Sequence, residues 1–241
     1  MIPLQFALLA LVILAAACLQ GSIGFGMGML AAPFIALIDA TLLPVLVIVL
    51  AMIVTLIVVI LDRASLDLRG AGWALAGRVP GSVVGAGLLT IMSTAVLSWA
   101  VAAVVLLGVV VSLRGWRPRV TRTTQAFAGA MSGIMGTTTS VGGAPMAIVW
   151  QAAEGPRLRG TMSAFFLVGS SLSLVALFLW GVVPPHALVT AAWMTPFAVA
   201  GVVLSRFVNR FLNRRRTRAI ALGASALGAL TLIVTRLAGL G

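Results

Sequence analysis

Carboxylates are scarce in this chain. Among 241 residues only four are acidic, Asp39, Asp62, Asp67 and Glu154. Lysine is absent, so all 16 basic residues are arginine, and there is one histidine and one cysteine. Each shortage excludes something. Cation pumps and proton relays keep carboxylates inside their spans, whereas the four acids here fall at the ends of apolar runs. A catalytic nucleophile needs a base within reach. No acid lies at the depth of Ser140 or Cys18, and His186, in "PPHAL", sits in a predicted outer loop. A lone Cys18 allows no internal disulfide and reads as a small apolar helix residue. There is no HExxH, no G-x-S-x-G and no metal-ligand cluster, and no strand precedes "GFGMGM" to make it a dinucleotide loop. Catalysis is not expected, and neither a cofactor nor a metal.

What the chain has is apolar length. Hydrophobic residues make up 61% and charged residues 8%, against about 25% charged in a soluble domain. Runs long enough to span a bilayer, about 20 residues each, are expected at 41–61, 70–91, 95–113, 160–181, 187–206 and 219–235. Two more, at the N-terminus and from Thr124, are interrupted by glycine. The run 1–17 lacks the positive flank of a signal peptide and is taken as mature structure. No soluble domain or hydrophilic tail is expected. The fold class is an all-α polytopic membrane protein. The net charge of +12 does not point to nucleic acid, because nearly all the arginines sit at the ends of apolar runs, as in positive-inside loops. Arg210, Arg214, Arg215, Arg216 and Arg218 are expected on anionic headgroups.

The chain also repeats. A shift of 112 residues brings Gly21 onto Gly133, Gly24 onto Gly136, Pro33 onto Pro145 and Pro44 onto Pro156. With four residues inserted, Pro80 meets Pro196 and Gly85 meets Gly201. Glycine and proline set backbone geometry rather than bulk, and paired, interrupted segments in the two halves of a repeat are a pointer to a transporter site. The repeats are placed at 1–120 and 121–241.

Charge counting selects the topology. If both interrupted segments crossed fully, seven loop arginines would face eight, against the positive-inside rule. If each is a re-entrant hairpin, at 4–39 and 124–153, fourteen share one face, Arg236 lies opposite, and Arg78 is inside a span. Each repeat then has one hairpin and three spans, and the odd number inverts one half relative to the other. The first arm, Leu4–Gln20, is longer than half a bilayer and is expected to tilt or nearly span.

Irregular backbone at membrane depth belongs where it lines a polar cavity. Pro33 and Pro145 suit a first helical position, so each return arm is expected to start near the midplane with free N–H groups aimed inward. Two such ends converging make an anion site. Its candidate residues are Gly24, Gly26, Gly28 and Pro33 in the first half. In the second they are Gly136, Gly142, Gly143, Pro145 and the hydroxyls of Thr137, Thr138, Thr139 and Ser140. Arg78, in "AGRVPGS", is a candidate as an intramembrane arginine, with snorkelling to the interface the alternative. Close helix packing is the alternative role for the small residues.

The motifs "GSIGFGMGMLAAPFIAL" and "GAMSGIMGTTTSVGGAPMAIVW" resemble those of the sulfite exporter TauE/SafE family, the four-toluene-sulfonate uptake permeases. The resemblance covers essentially the whole chain. It implies a bacterial inner-membrane carrier for sulfite, sulfonates such as sulfoacetate, or other small sulfur anions. Many relatives carry Gly-Gly-Gly in each motif, whereas this chain has Gly142-Gly143 in one and alternating glycines in the other. The expected function is alternating-access transport of such an anion bound between two hairpin tips, the alternative being an anion or small-solute channel of paired half-helices. Expected partners are the small anion and the lipid bilayer, with homodimerisation left open.

Overall fold

The computed structural model describes residues 3–63, 71–114, 119–150, 155–211 and 214–239. These form ten α-helices: α1 (Pro3–Ile23), α2 (Met27–Asp39), α3 (Val45–Leu61), α4 (Gly72–Ile91), α5 (Thr94–Arg114), α6 (Arg122–Thr139), α7 (Gly143–Val149), α8 (Gly155–Leu179), α9 (Pro185–Phe211) and α10 (Arg214–Leu237). A 3-10 turn, Ala40–Leu42, joins α2 to α3. There is no strand among the described residues. Asp67, Arg69, Arg117 and Glu154 lie outside them, as do positions 151–153 of the second expected hairpin.

Six helices, α1, α4, α5, α8, α9 and α10, are long and apolar enough to cross a membrane. Their outer faces carry Leu107, Trp193, Phe207 and Leu227, all more than half exposed. Apolar surface on this scale needs lipid, not water. The chain is a multi-pass membrane protein.

Two expected boundaries shift. The first expected span, 41–61, begins at Val45. Thr41 is held in the 3-10 turn, its N–H donating to Asp39 Oδ1 at 2.9 Å, and Pro44 caps the helix that follows. That leaves α3 with 17 residues, about 26 Å at 1.5 Å per residue. Conversely α1, expected as a tilted hairpin arm, has 21 residues, about 31 Å, the thickness of a hydrocarbon core.

The prolines also move. α2 starts at Met27, so Pro33 lies inside it rather than at its first position. Pro145 is the third residue of α7, within the first turn, where a missing N–H forfeits no helical bond. A left-handed residue before each arm, Gly26 in the first and Ser140 in the second, and not proline, sets where the return arms begin.

Small residues decide the packing. α4 and α6 form the most extensive helix pair. A methyl group on Gly77 or Gly81 would overlap the backbone of Ala126 or Ala130, and one on Gly129 would overlap Ala74. The contacts advance together along both helices, so α4 and α6 run in the same direction. This is small-residue packing, in which backbones approach closely because dispersion, not exclusion of water, drives association in lipid. α1 and α9 pair likewise, with Gly201 against Leu14 and Gly21 against Ser205.

The two ends of the bundle differ. At one, Asp62 at the end of α3 takes Arg159 of α8 in a two-pronged ion pair, Nε at 2.5 Å and Nη2 at 3.0 Å. Arg206 of α9 approaches the same carboxylate at 3.4 Å. At the other end Thr41 meets His186 at 3.1 Å, and Arg236 donates to Ser98 at 3.0 Å.

Candidate functional site

Both broken stretches are turns, each made by left-handed backbone. Gly24 (φ 86°) and Gly26 (φ 103°) separate α1 from α2, a conformation that costs glycine nothing. In the second half the residue doing this is Ser140, at φ 65°. The Gln20 side chain bridges the first turn, its Oε1 accepting from the Met27 N–H at 3.0 Å.

The turns meet. A methyl on Gly28 would overlap the Ser140 carbonyl, and the Phe25 ring lies against Gly143. Between them is a cavity of ≈ 40 Å³, lined in part by Gly26, Gly28, Arg78, Gly136, Ser140, Gly142 and Gly143. By this measure a water needs roughly 10–15 Å³, so the space suits about three waters or one small oxyanion.

Arg78 is the only charged group in that lining. It is 3% exposed. Its Nη1 donates to the Ser132 hydroxyl at 2.5 Å and to the Ser132 carbonyl at 3.2 Å. The Ser132 hydroxyl donates onward to the Gly142 carbonyl at 2.6 Å. The guanidinium lies 5.1 Å from the Phe165 ring centre and 5.5 Å from that of Phe166, a cation–π arrangement. Gly169 leaves room for it, since a methyl there would overlap Nε. That Nε has no hydrogen-bond partner among the described residues. Among the described residues no carboxylate pairs with Arg78. Arginine stays charged in proteins, and a buried charge is costly unless paired. A buried cation with no described carboxylate at a polar cavity is what makes this the candidate site.

A family model described as sulfite exporter TauE/SafE matches residues 9–232. The chain belongs to that family. No curated protein and no solved structure matches it.

In this TauE/SafE chain, seven candidate residues from the two motifs and α4 line one cavity. The others lie elsewhere. Gly24 packs its backbone against Arg159 of α8. Pro33 sits within α2, and Pro145 faces an outer apolar groove between α5, α6 and α7. The Thr138 hydroxyl donates to the Ile134 carbonyl at 2.8 Å and that of Thr139 to the Met135 carbonyl at 2.7 Å. Both are turned onto their own helix, which satisfies them without a ligand. Thr137 shares a hydrogen bond with Ser173 at 2.7 Å, behind the lining.

Sequence reasoning missed Gln20, Ser132, Phe166, Ser170 and Ser173. Gln20, Ser170 and Ser173 line the cavity, as does Phe166, while Ser132 holds Arg78. A signal was present: Gln20 stands in a long apolar run, and "GSSLS" concentrates hydroxyls at the middle of another.

Proposed function

We propose that this chain is a secondary transporter of small sulfur oxyanions, sulfite foremost, which bind in the cavity beside Arg78 and pass by alternating access. The observation that carries this is the Arg78 guanidinium, buried, facing the cavity and without a described carboxylate. An anion entering there would supply the missing counter-charge and be met by charge-assisted hydrogen bonds. The start of α2 adds backbone N–H groups at Gly28 and Met29; α7, with seven residues, contributes a shorter dipole. The cavity volume favours an anion of three or four oxygens over a sulfonate with an organic tail such as sulfoacetate.

Two bent helix pairs support the hairpin reading. α1 climbs along α9, and after the Gly24–Gly26 turn α2 comes back to Thr41, beside His186 at the start of α9. α6 descends along α4, and α7 turns back after Ser140. We take these as two re-entrant hairpins entering from opposite faces of a bacterial inner membrane, with the arginine-rich end cytoplasmic. Single cysteines at Arg122 and Arg157, in a Cys18→Ala background, should be labelled from one face by an impermeant thiol reagent. Labelling from opposite faces would refute the hairpins.

The deciding experiment reconstitutes the full chain in liposomes. Saturable sulfite uptake that is accelerated by sulfite loaded inside is the expected result. Unsaturable flux without exchange would indicate the channel alternative, and no flux of sulfite, thiosulfate or sulfate would overturn transport altogether.

A further inference from the structure

Closer to the arginine-rich end lies a second, smaller cavity of ≈ 20 Å³, enclosed by α1, α2, α5 and α10 with Ala144 of α7. It shares Gly26 and Met29 with the central cavity, and Phe25 of its own lining lies against Gly143 of the central one. Its polar lining is Arg218, Ser112 and Ser225, with no carboxylate. Arg218 stands in the second turn of α10 and donates to the Ser112 carbonyl at 3.2 Å. Ser225 lies two turns deeper on the same helix and is 1% exposed.

Two larger cavities among the described residues differ in kind. The grooves flanking the two bent pairs hold ≈ 410 and ≈ 440 Å³, but their linings are almost wholly apolar. Neither groove lining holds a cation, and unpaired burial of charge is prohibitive. The small cavity instead offers a cation and hydroxyls while adjoining the central site.

Resting on the transport reading, we infer that Arg218, with Ser112 and Ser225, forms a second anion-recognition point through which the oxyanion passes between the arginine-rich face and Arg78. The present volume holds about one water, so the passage is closed in this state. Phe25 and Met29 stand where the two cavities adjoin. Charge-assisted contacts to Arg218 replace hydration during passage, while equilibrium affinity is set beyond Phe25, at Arg78.

The test uses the full chain in membrane vesicles of the two opposite orientations, with sulfite as the probe. Arg218→Gln should raise the half-saturating sulfite concentration about ten-fold when sulfite is offered to the arginine-rich face, the scale of one lost charged hydrogen bond. From the other face it should change by less than about two-fold. Sulfite binding to the purified variant, measured by calorimetry, should match wild type. Arg218→Lys should avoid much of this shift, and Ser225→Ala should show the same one-sided shift in smaller measure. Equal shifts from both faces, no shift, or a matching loss of equilibrium binding would overturn the second recognition point while leaving the Arg78 site standing. A wild-type chain that neither binds nor moves sulfite would overturn the transport reading itself, and this inference with it.

Discussion

Arg78 and Ser132 are joined twice, through the serine hydroxyl at 2.5 Å and its carbonyl at 3.2 Å. Because the same hydroxyl donates to Gly142 at 2.6 Å, one relay ties α4, α6 and the turn before α7 into a unit. The cation is thereby aimed by a helix that lies more than fifty residues further along the chain.

Removing that cation should weaken binding strongly. Arg78→Gln is expected to weaken sulfite affinity about a hundred-fold, within the 2–5 kcal/mol range for truncating one partner of a buried charge pair. Arg78→Lys should not rescue it, because an ammonium cannot keep both the Ser132 contacts and the ring-face packing of a planar guanidinium. Calorimetry of the purified variants with sulfite measures both. Affinity unchanged in Arg78→Gln would remove Arg78 from the site.

Gly169 should behave as a positioning residue. Gly169→Ala places a methyl where Arg78 Nε now lies, so the guanidinium must shift. The expected outcome is a large loss of sulfite binding with normal membrane insertion and a monodisperse size-exclusion profile. Wild-type binding would mean that Arg78 relaxes without cost.

The hydroxyls of the second motif should separate. Thr138→Val is expected to leave sulfite affinity within about two-fold, since its hydroxyl is satisfied by Ile134 and replaceable by an isostere. Ser140→Gly should be tolerated and Ser140→Val should not, because a β-branched residue resists the left-handed φ of 65° found there. Thermal melting in detergent, with and without sulfite, distinguishes the pairs.

Asp62 should matter for stability rather than for binding. It is 8% exposed and receives Arg159 and, more weakly, Arg206. Asp62→Asn leaves two arginines without their counter-charge and should cost about 1–3 kcal/mol, between the values for exposed and buried pairs. That lowers the melting temperature by several degrees at this chain length, at roughly 2–4 °C per kcal/mol. The double variant Asp62→Asn with Arg159→Gln should recover part of the loss. Sulfite affinity of the folded fraction should be unchanged.

Much of the site was legible because its requirements are local. A run of apolar residues broken by Gly24 and Gly26, or by Gly142 and Gly143, states by itself that the backbone turns where water is absent. An arginine eight residues into a span states that something must answer its charge. The misplaced residues share a cause. Thr138 and Thr139 sit in the motif, but whether a hydroxyl faces a cavity or its own helix depends on helix rotation, which packing against α4 decides. The proline expectation failed similarly, since Gly26, adopting φ 103°, starts α2 before Pro33 is reached.

The sequence alone therefore determined the solvent and the residue types available for an anion, because hydropathy, charge placement and glycine spacing act within a few turns of chain. Only the tertiary structure decided which of them meet. Gly28 reaches Ser140, and Arg78 reaches Ser132, across more than fifty residues, through backbones that approach closely where side chains are missing. Ser173, Phe166 and Gln20 joined them for the same reason: helix–helix contact in lipid is chosen by shape, and shape is a property of the assembled bundle.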